Sequence, residues 1–282
     1  FFVTARGWED LSEILMAYEE LRIEITENLI HEYLCRDEIA RSFFASYQLY
    51  RKYGTDYGRD RLLSGRMQEE EQVQRKKMAQ DASFEERFLV TGLLLDGLNG
   101  GFLSYEKLNE ETERVYQELL HLKTFLSDRK GMTALDEFID STKKSLAVRL
   151  DAELLSEVQE TQEASAIRML EAFSLTVRKE HITDVETGFD RIKELFGEMV
   201  EKRKDCAQQI SQELERAFSF MKDAFGDGQE MVLFVTGLTR NSHAGAFIRE
   251  YGCEPYFVYS EKLLYRKQEQ KLQEECETLL KI

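Results

Sequence analysis

Residues 189–225, FDRIKELFGEMVEKRKDCAQQISQELERAFSFMKDAF, decide the fold class. Phe189, Ile192, Phe196, Met199, Arg203, Cys206, Ile210, Leu214, Ala217, Met221 and Phe225 recur at spacings that alternate between three and four. That is one stripe of a long α-helix, because three and four residues each come close to one turn. Thr183-Asp-Val-Glu186 ahead of it has the form of a capping box, and Gly226-Asp-Gly228 stops it. A stripe this long implies a helix that a small core cannot cover. The expectation is an antiparallel, coiled-coil-like hairpin over about 146–226, with the helical pattern of Leu146–Val177 as its other arm.

Outward from this seam the patterning stays helical. Trp8 to Leu21 reads as one helix, and a second runs from Glu24 through an aromatic stripe to a glycine cap at Gly54. Residues 54–66 (GTDYGRDRLLSGR) concentrate glycine and charge and are the expected domain boundary. Ser83-Phe-Glu-Glu86 is another capping box; its helix is expected to turn at Asn99-Gly-Gly101, with Ser104 capping the next. Residues 89–93 (LVTGL) and 234–238 (FVTGL) echo each other, which favours helix over strand for Met231–Leu238. Cys253–Tyr259, around Pro255, reads as extended, and Glu261–Leu280 as a last helix. The chain is therefore expected to be mainly α, with a minor β element near 231–260 left open. The expected domains are 1–65 and 66–282.

Composition agrees. The chain has one proline, where average usage would give about 14. Proline breaks helix interiors, so its scarcity permits long helices. A net charge of −16 repels phosphate backbones and acidic membranes, so neither nucleic acid nor membrane is an expected partner. The apolar runs 88–95 and 231–238 fall short of the roughly 20 residues needed to cross a bilayer. Four cysteines without a CxxC pair suit a reducing, cytoplasmic compartment.

Little catalytic equipment is visible. No phosphate-cradling glycine motif occurs, and Gly97-Leu-Asn-Gly-Gly101 lacks the lysine a cradle uses. Glu118-x-x-His121 has di-iron carboxylate spacing but is a single copy of a motif needed twice. His31 and Cys35 share a helix face without a third ligand. Cys253 follows His243 by ten residues without a nucleophile-elbow pattern and reads as core. No metal site and no catalytic residue are expected. Arg6 differs. A guanidinium beside a helix N-terminus gains nothing from the helix dipole, and its fork suits phosphate or carboxylate. The alternative is a surface ion pair with Glu9 or Asp10.

Thr4-Ala-Arg-Gly-Trp-Glu-Asp-Leu-Ser12, followed by a helix reading Ile-His-Glu-Tyr-Leu through Phe-Phe-Ala-Ser-Tyr-Gln-Leu-Tyr-Arg-Lys-Tyr-Gly-Thr-Asp-Tyr, resembles the helical lid of MoxR-type AAA+ ATPases. The resemblance covers roughly residues 1–60. It implies that Arg6 holds the sensor-2 position, although Ala5 stands where the family usually has proline. It further implies an ATP- and Mg-dependent core upstream of Phe1, a hexameric ring, chaperone-like remodelling and a von Willebrand factor A-domain partner. Residues beyond 66 would then recognise a client. The competing expectation is a non-enzymatic helical scaffold or adaptor.

Overall fold

The computed structural model describes residues 3–129, 131 and 133–263. Among them every regular element is helical: α1 (Ala5–Glu20), α2 (Glu27–Leu34), α3 (Asp37–Tyr57), α4 (Arg59–Leu63), α5 (Glu69–Gln80), α6 (Phe84–Leu126), α7 (Thr133–Asp151), α8 (Glu157–Lys179), α9 (Val185–Phe225), α10 (Gln229–Arg240), α11 (Ser242–Tyr251) and α12 (254–263). The fold is mainly α, as expected, and no strand occurs among the described residues. The β alternative is thereby corrected. Met231–Leu238 lies inside α10, and the stretch read as extended at 253–259 is the start of α12. There the Phe257 N–H donates to the Cys253 carbonyl at 3.2 Å. Pro255 falls in the first turn, where its missing N–H would have no intrahelical partner anyway. Most of the expected helix Glu261–Leu280 lies outside the described residues.

Several boundaries differ from the sequence reading, each for a local reason. The single helix expected from Glu24 is broken at Cys35, which takes a left-handed φ of 52° and closes α2. The acids Asp37 and Glu38 then open α3, where the dipole favours them. Helix α3 runs past Gly54 and ends at Gly58, which is left-handed. Helix α6 passes straight through Gly97, Gly100 and Gly101 for 43 residues. Gly97 is not a turn but a notch: a Cβ there would lie 2.6 Å from Leu63 Cδ1. Leu146–Val177 is two helices, split where Glu153 takes φ 53° and Ser156 and Gln159 form a reciprocal capping box. Helix α9 begins on Asp184 rather than Thr183. The Asp184 Oδ1 accepts the Thr187 N–H at 2.8 Å, and that backbone donor holds its carboxyl below the usual range.

The chain packs as two compact units. One comprises residues 3–97, 216–237 and 262–263; the other comprises 98–215 and 238–261. Residues 54–66 lie inside the first. Its N-terminal part is a small core of Leu11, Ile25, Ile30, Leu34 and Ala40, roofed by Tyr18, Tyr33, Phe43 and Tyr47. Further along, Phe218 packs edge-on against Phe234 at 5.1 Å. Lys76 on α5 donates to Asp223 of α9 at 2.6 Å.

The second unit is built on a four-helix cluster. Val115 and Leu122 of α6, Leu135 and Phe138 of α7, Ile167 and Leu170 of α8, and Ile192 and Met199 of α9 share one core. The early part of the long seam is thus covered by three helices, α6, α7 and α8, rather than by a single second arm. Farther along the seam, Ile210 seats against the bare backbone at Gly101, where a Cβ would be 3.3 Å away. A second aromatic group, Phe102, Tyr105, Phe247 and Tyr251, joins α6 to α11. The Tyr105 hydroxyl lies 2.7 Å from that of Tyr251 and donates to Glu250 at 3.0 Å. No helix among the described residues is long and apolar enough to cross a membrane.

Candidate functional site

The first turn of α1 is built by small residues. Thr4 caps it, its hydroxyl accepting the Gly7 N–H at 3.1 Å. Gly7 is required by close approach, since a Cβ there would stand 3.0 Å from the Tyr33 carbonyl oxygen of α2. Trp8 then meets Phe43 of α3 edge-to-face at 5.4 Å. These contacts fix the backbone on either side of Arg6. The arginine therefore stands within the helix, not in a turn ahead of it. Its side chain is 88% exposed, and its Nε lies 3.8 Å from Asp10 Oδ2, one turn on. An exposed pair at that distance contributes at most a few tenths of a kcal/mol. The first turn of α1 carries no acidic residue.

The other singled-out residues are placed as follows. His31 Nε2 lies 2.6 Å from Asp37 Oδ1, so it bridges the break between α2 and α3. The Cys35 thiol donates to the Glu32 carbonyl at 3.5 Å instead of sharing a ligand face with His31. His121 Nδ1 is 3.9 Å from Glu118 on an exposed face. Among the described residues no group of three or more His, Cys, Asp or Glu side chains is gathered as a metal ion would need. His243 turns its Nδ1 toward Glu106, 2.5 Å away. Cys253 is buried, and burial pushes its thiol up from the ordinary range, which works against thiolate chemistry.

One polar cavity was not anticipated. It measures about 430 Å³ and is bordered by Tyr50, Arg51, Arg59, Asp96 and the glycines at 54 and 58. Asp96 Oδ2 accepts the Tyr50 hydroxyl at 2.7 Å and Arg59 Nη1 at 2.7 Å, while Arg59 Nε donates to Asp60 at 2.8 Å. Burial and the acceptance by Asp96 both push the Tyr50 hydroxyl well up from its usual range. Burial alone would lower the Arg59 guanidinium, but its two carboxylates outweigh that and raise it. Every charge in this trio is answered locally. Its evident work is to tie α3 and α4 to α6, and nothing in it is poised as a nucleophile or base. Tyr50 and Asp96 stand 46 residues apart, and no short motif connects them. Comparison with protein-family models, with curated proteins and with solved structures finds no match.

Proposed function

We propose that this chain is the lid and helical extension of a MoxR-like AAA+ ATPase, with Arg6 serving a nucleotide that a core outside this sequence would hold. One observation supports the reading above others: Arg6 stands on the first turn of α1, nearly fully exposed, held only by a loose pair with Asp10 at 3.8 Å on the next turn. The positive end of the helix and the guanidinium both attract an anion at the same place. The contacts of Gly7 and Trp8 fix the backbone beneath the arginine while its side chain stays available. ATP and Mg would supply phosphoryl transfer in the core. This chain would contribute one positioned cation, and residues beyond 66 would recognise a client. The hexameric ring and the A-domain partner belong to the same reading.

The test joins this chain to its ATPase core. Arg6→Ala is expected to lower ATP turnover tenfold or more while shifting stability by no more than about 0.5 kcal/mol, as for other exposed positions. Turnover unchanged in Arg6→Ala would remove Arg6 from the site. The adaptor reading is favoured by a separate observation. Val148, Leu154 and Val158 are exposed apolar residues that flank the turn from α7 into α8. A scaffold would bind its partner there without nucleotide.

A further inference from the structure

Three helices of this chain end in the same way, and one of them breaks the pattern. After α1, Arg22 is left-handed (φ 56°); its N–H donates to Glu19 and the next N–H, of Ile23, donates to Tyr18. After α8, His181 (φ 55°) and Ile182 repeat these bonds to Arg178 and Val177. After α7, Glu153 (φ 53°) and Leu154 repeat them to Leu150 and Arg149, at 2.9 and 3.0 Å. Each is a Schellman closure with a side chain where glycine is usual. Arginine and histidine suit the negative end of a helix. A glutamate does not, and Asp151 just before it adds a second carboxylate at the same end.

The same corner exposes apolar side chains. Val148, Leu154 and Val158 are 66%, 70% and 66% exposed, although they fall within eleven residues. In a Schellman closure the residue after the left-handed one commonly covers the helix it ends. Here both members of that pair, Leu154 and Val148, stay open to solvent. The acids around them are uncompensated. Asp151, Glu153, Glu157 and Glu160 are exposed and form no ion pair among the described residues. Arg149, the nearest cation along the chain, is held by Glu163 through its two terminal guanidinium nitrogens. Glu157 and Glu160 also serve the first turn of α8, but Asp151 and Glu153 serve no helix.

We propose that the α7–α8 corner is a docking surface for a basic amphipathic helix of a partner protein, whose apolar face covers Val148, Leu154 and Val158 and whose flanking lysines or arginines meet the acidic rim. A second copy of this acidic chain is the wrong occupant, because it would set carboxylates against carboxylates. The inference deepens the client-recognition part of the reading above. Its test uses no ATP, so the two fail separately.

The probe is a fluorescein-labelled 14-residue amphipathic peptide of leucine and lysine, with a leucine–glutamate twin, read by fluorescence anisotropy against the whole chain. The lysine peptide is expected to bind, more weakly as salt rises to about 0.5 M, and the glutamate twin is expected not to bind. Leu154→Ser with Val158→Ser should weaken binding at least tenfold, and Glu153→Gln with Glu157→Gln should do so independently. Glu69→Gln with Glu70→Gln, on α5, should change nothing, which separates the corner from general attraction to an acidic protein. The Gln pair alters only exposed carboxylates, so it decides the matter even where the serine pair disturbs folding. Equal binding by parent and corner variants, equal binding of the two peptides, or no binding of the lysine peptide would overturn the proposal. So would self-association that the serine pair abolishes.

Discussion

Helix α6 offers a matched experiment, because the same glycine-to-alanine substitution should have different outcomes at Gly92 and Gly97, five residues apart. A Cβ at Gly92 meets nothing within 4 Å. Gly92→Ala should therefore stabilise by about 1 kcal/mol, the helix propensity difference between the two residues. A Cβ at Gly97 would lie 2.6 Å from Leu63 Cδ1 and 3.0 Å from Arg59 Cδ. Carbon atoms settle at about 3.5–4.0 Å, so roughly 1 Å of overlap must be relieved. Leu63 is only 4% exposed and cannot swing into solvent, and Arg59 is held by Asp60 and Asp96. Overpacking of this kind costs about 1–3 kcal/mol. Set against the same propensity gain, Gly97→Ala should come out neutral to about 2 kcal/mol destabilising, and below Gly92→Ala by about 1–3 kcal/mol. Urea unfolding followed by the fluorescence of Trp8, the only tryptophan, reads the unit that contains both glycines. If Gly97→Ala were as stabilising as Gly92→Ala, the notch would be no notch, and the passage of α6 through its glycines would need another cause.

Three further outcomes follow from the geometry. Arg22→Gly should stabilise by about 0.5–1 kcal/mol, because the left-handed strain of about 1–2 kcal/mol is relieved and part of it is returned as unfolded-chain entropy; a thermal midpoint that falls would argue against strain there. The Asp184 carboxyl sits below its usual range, so its stabilising effect is present above about pH 3.9 and is lost as pH falls through the lower, folded value. Asp184→Asn should flatten that part of the acid limb in a pH series of thermal melts, and an unchanged limb would dismiss the cap. Burial, then acceptance by Glu19, pushes the Tyr47 hydroxyl up to about 12, and Tyr50, Tyr57 and Tyr105 are also raised. Phenolate absorbance near 295 nm should therefore lag for these four above the ordinary value of about 10, until the protein unfolds. Ionisation of all twelve tyrosines near the ordinary value would contradict the four hydroxyl–carboxylate pairs.

What was legible in the sequence follows from which physical signals are local. The seam of α9 and the Ser83 capping region were readable because spacing and capping chemistry repeat within a turn or two. The break at Cys35 and the one at Glu153 were not. Each depends on a left-handed residue that is not glycine, so the usual punctuation is missing. The Ser156–Gln159 box was there to be read, but the apolar residues Leu154 and Val158 continued the helical period across it and hid the corner. The opposite error occurred at Gly97–Gly101, where glycine marked close packing against Leu63 and Ile210 rather than a turn. The environment of Arg6 was partly readable, since the choice between an ion pair and an open guanidinium turned on how far Asp10 would stand from it. The Tyr50–Asp96–Arg59 trio was invisible, because only the fold brings those residues together.

The order in which the first unit's parts leave the ribosome has a consequence for its folding. Residues 3–97 and 216–237 belong together, yet residues 98–215 are synthesised between them. At about 5–20 residues per second that interval lasts on the order of ten seconds. During it the small α1–α3 core can form from local contacts alone, whereas Lys76 and Gln80 wait for Asp223. The stretch around α5 is therefore exposed to chaperones and proteases for longer than its position in the chain suggests, and a nascent chain stalled before residue 216 would carry an unfinished first unit.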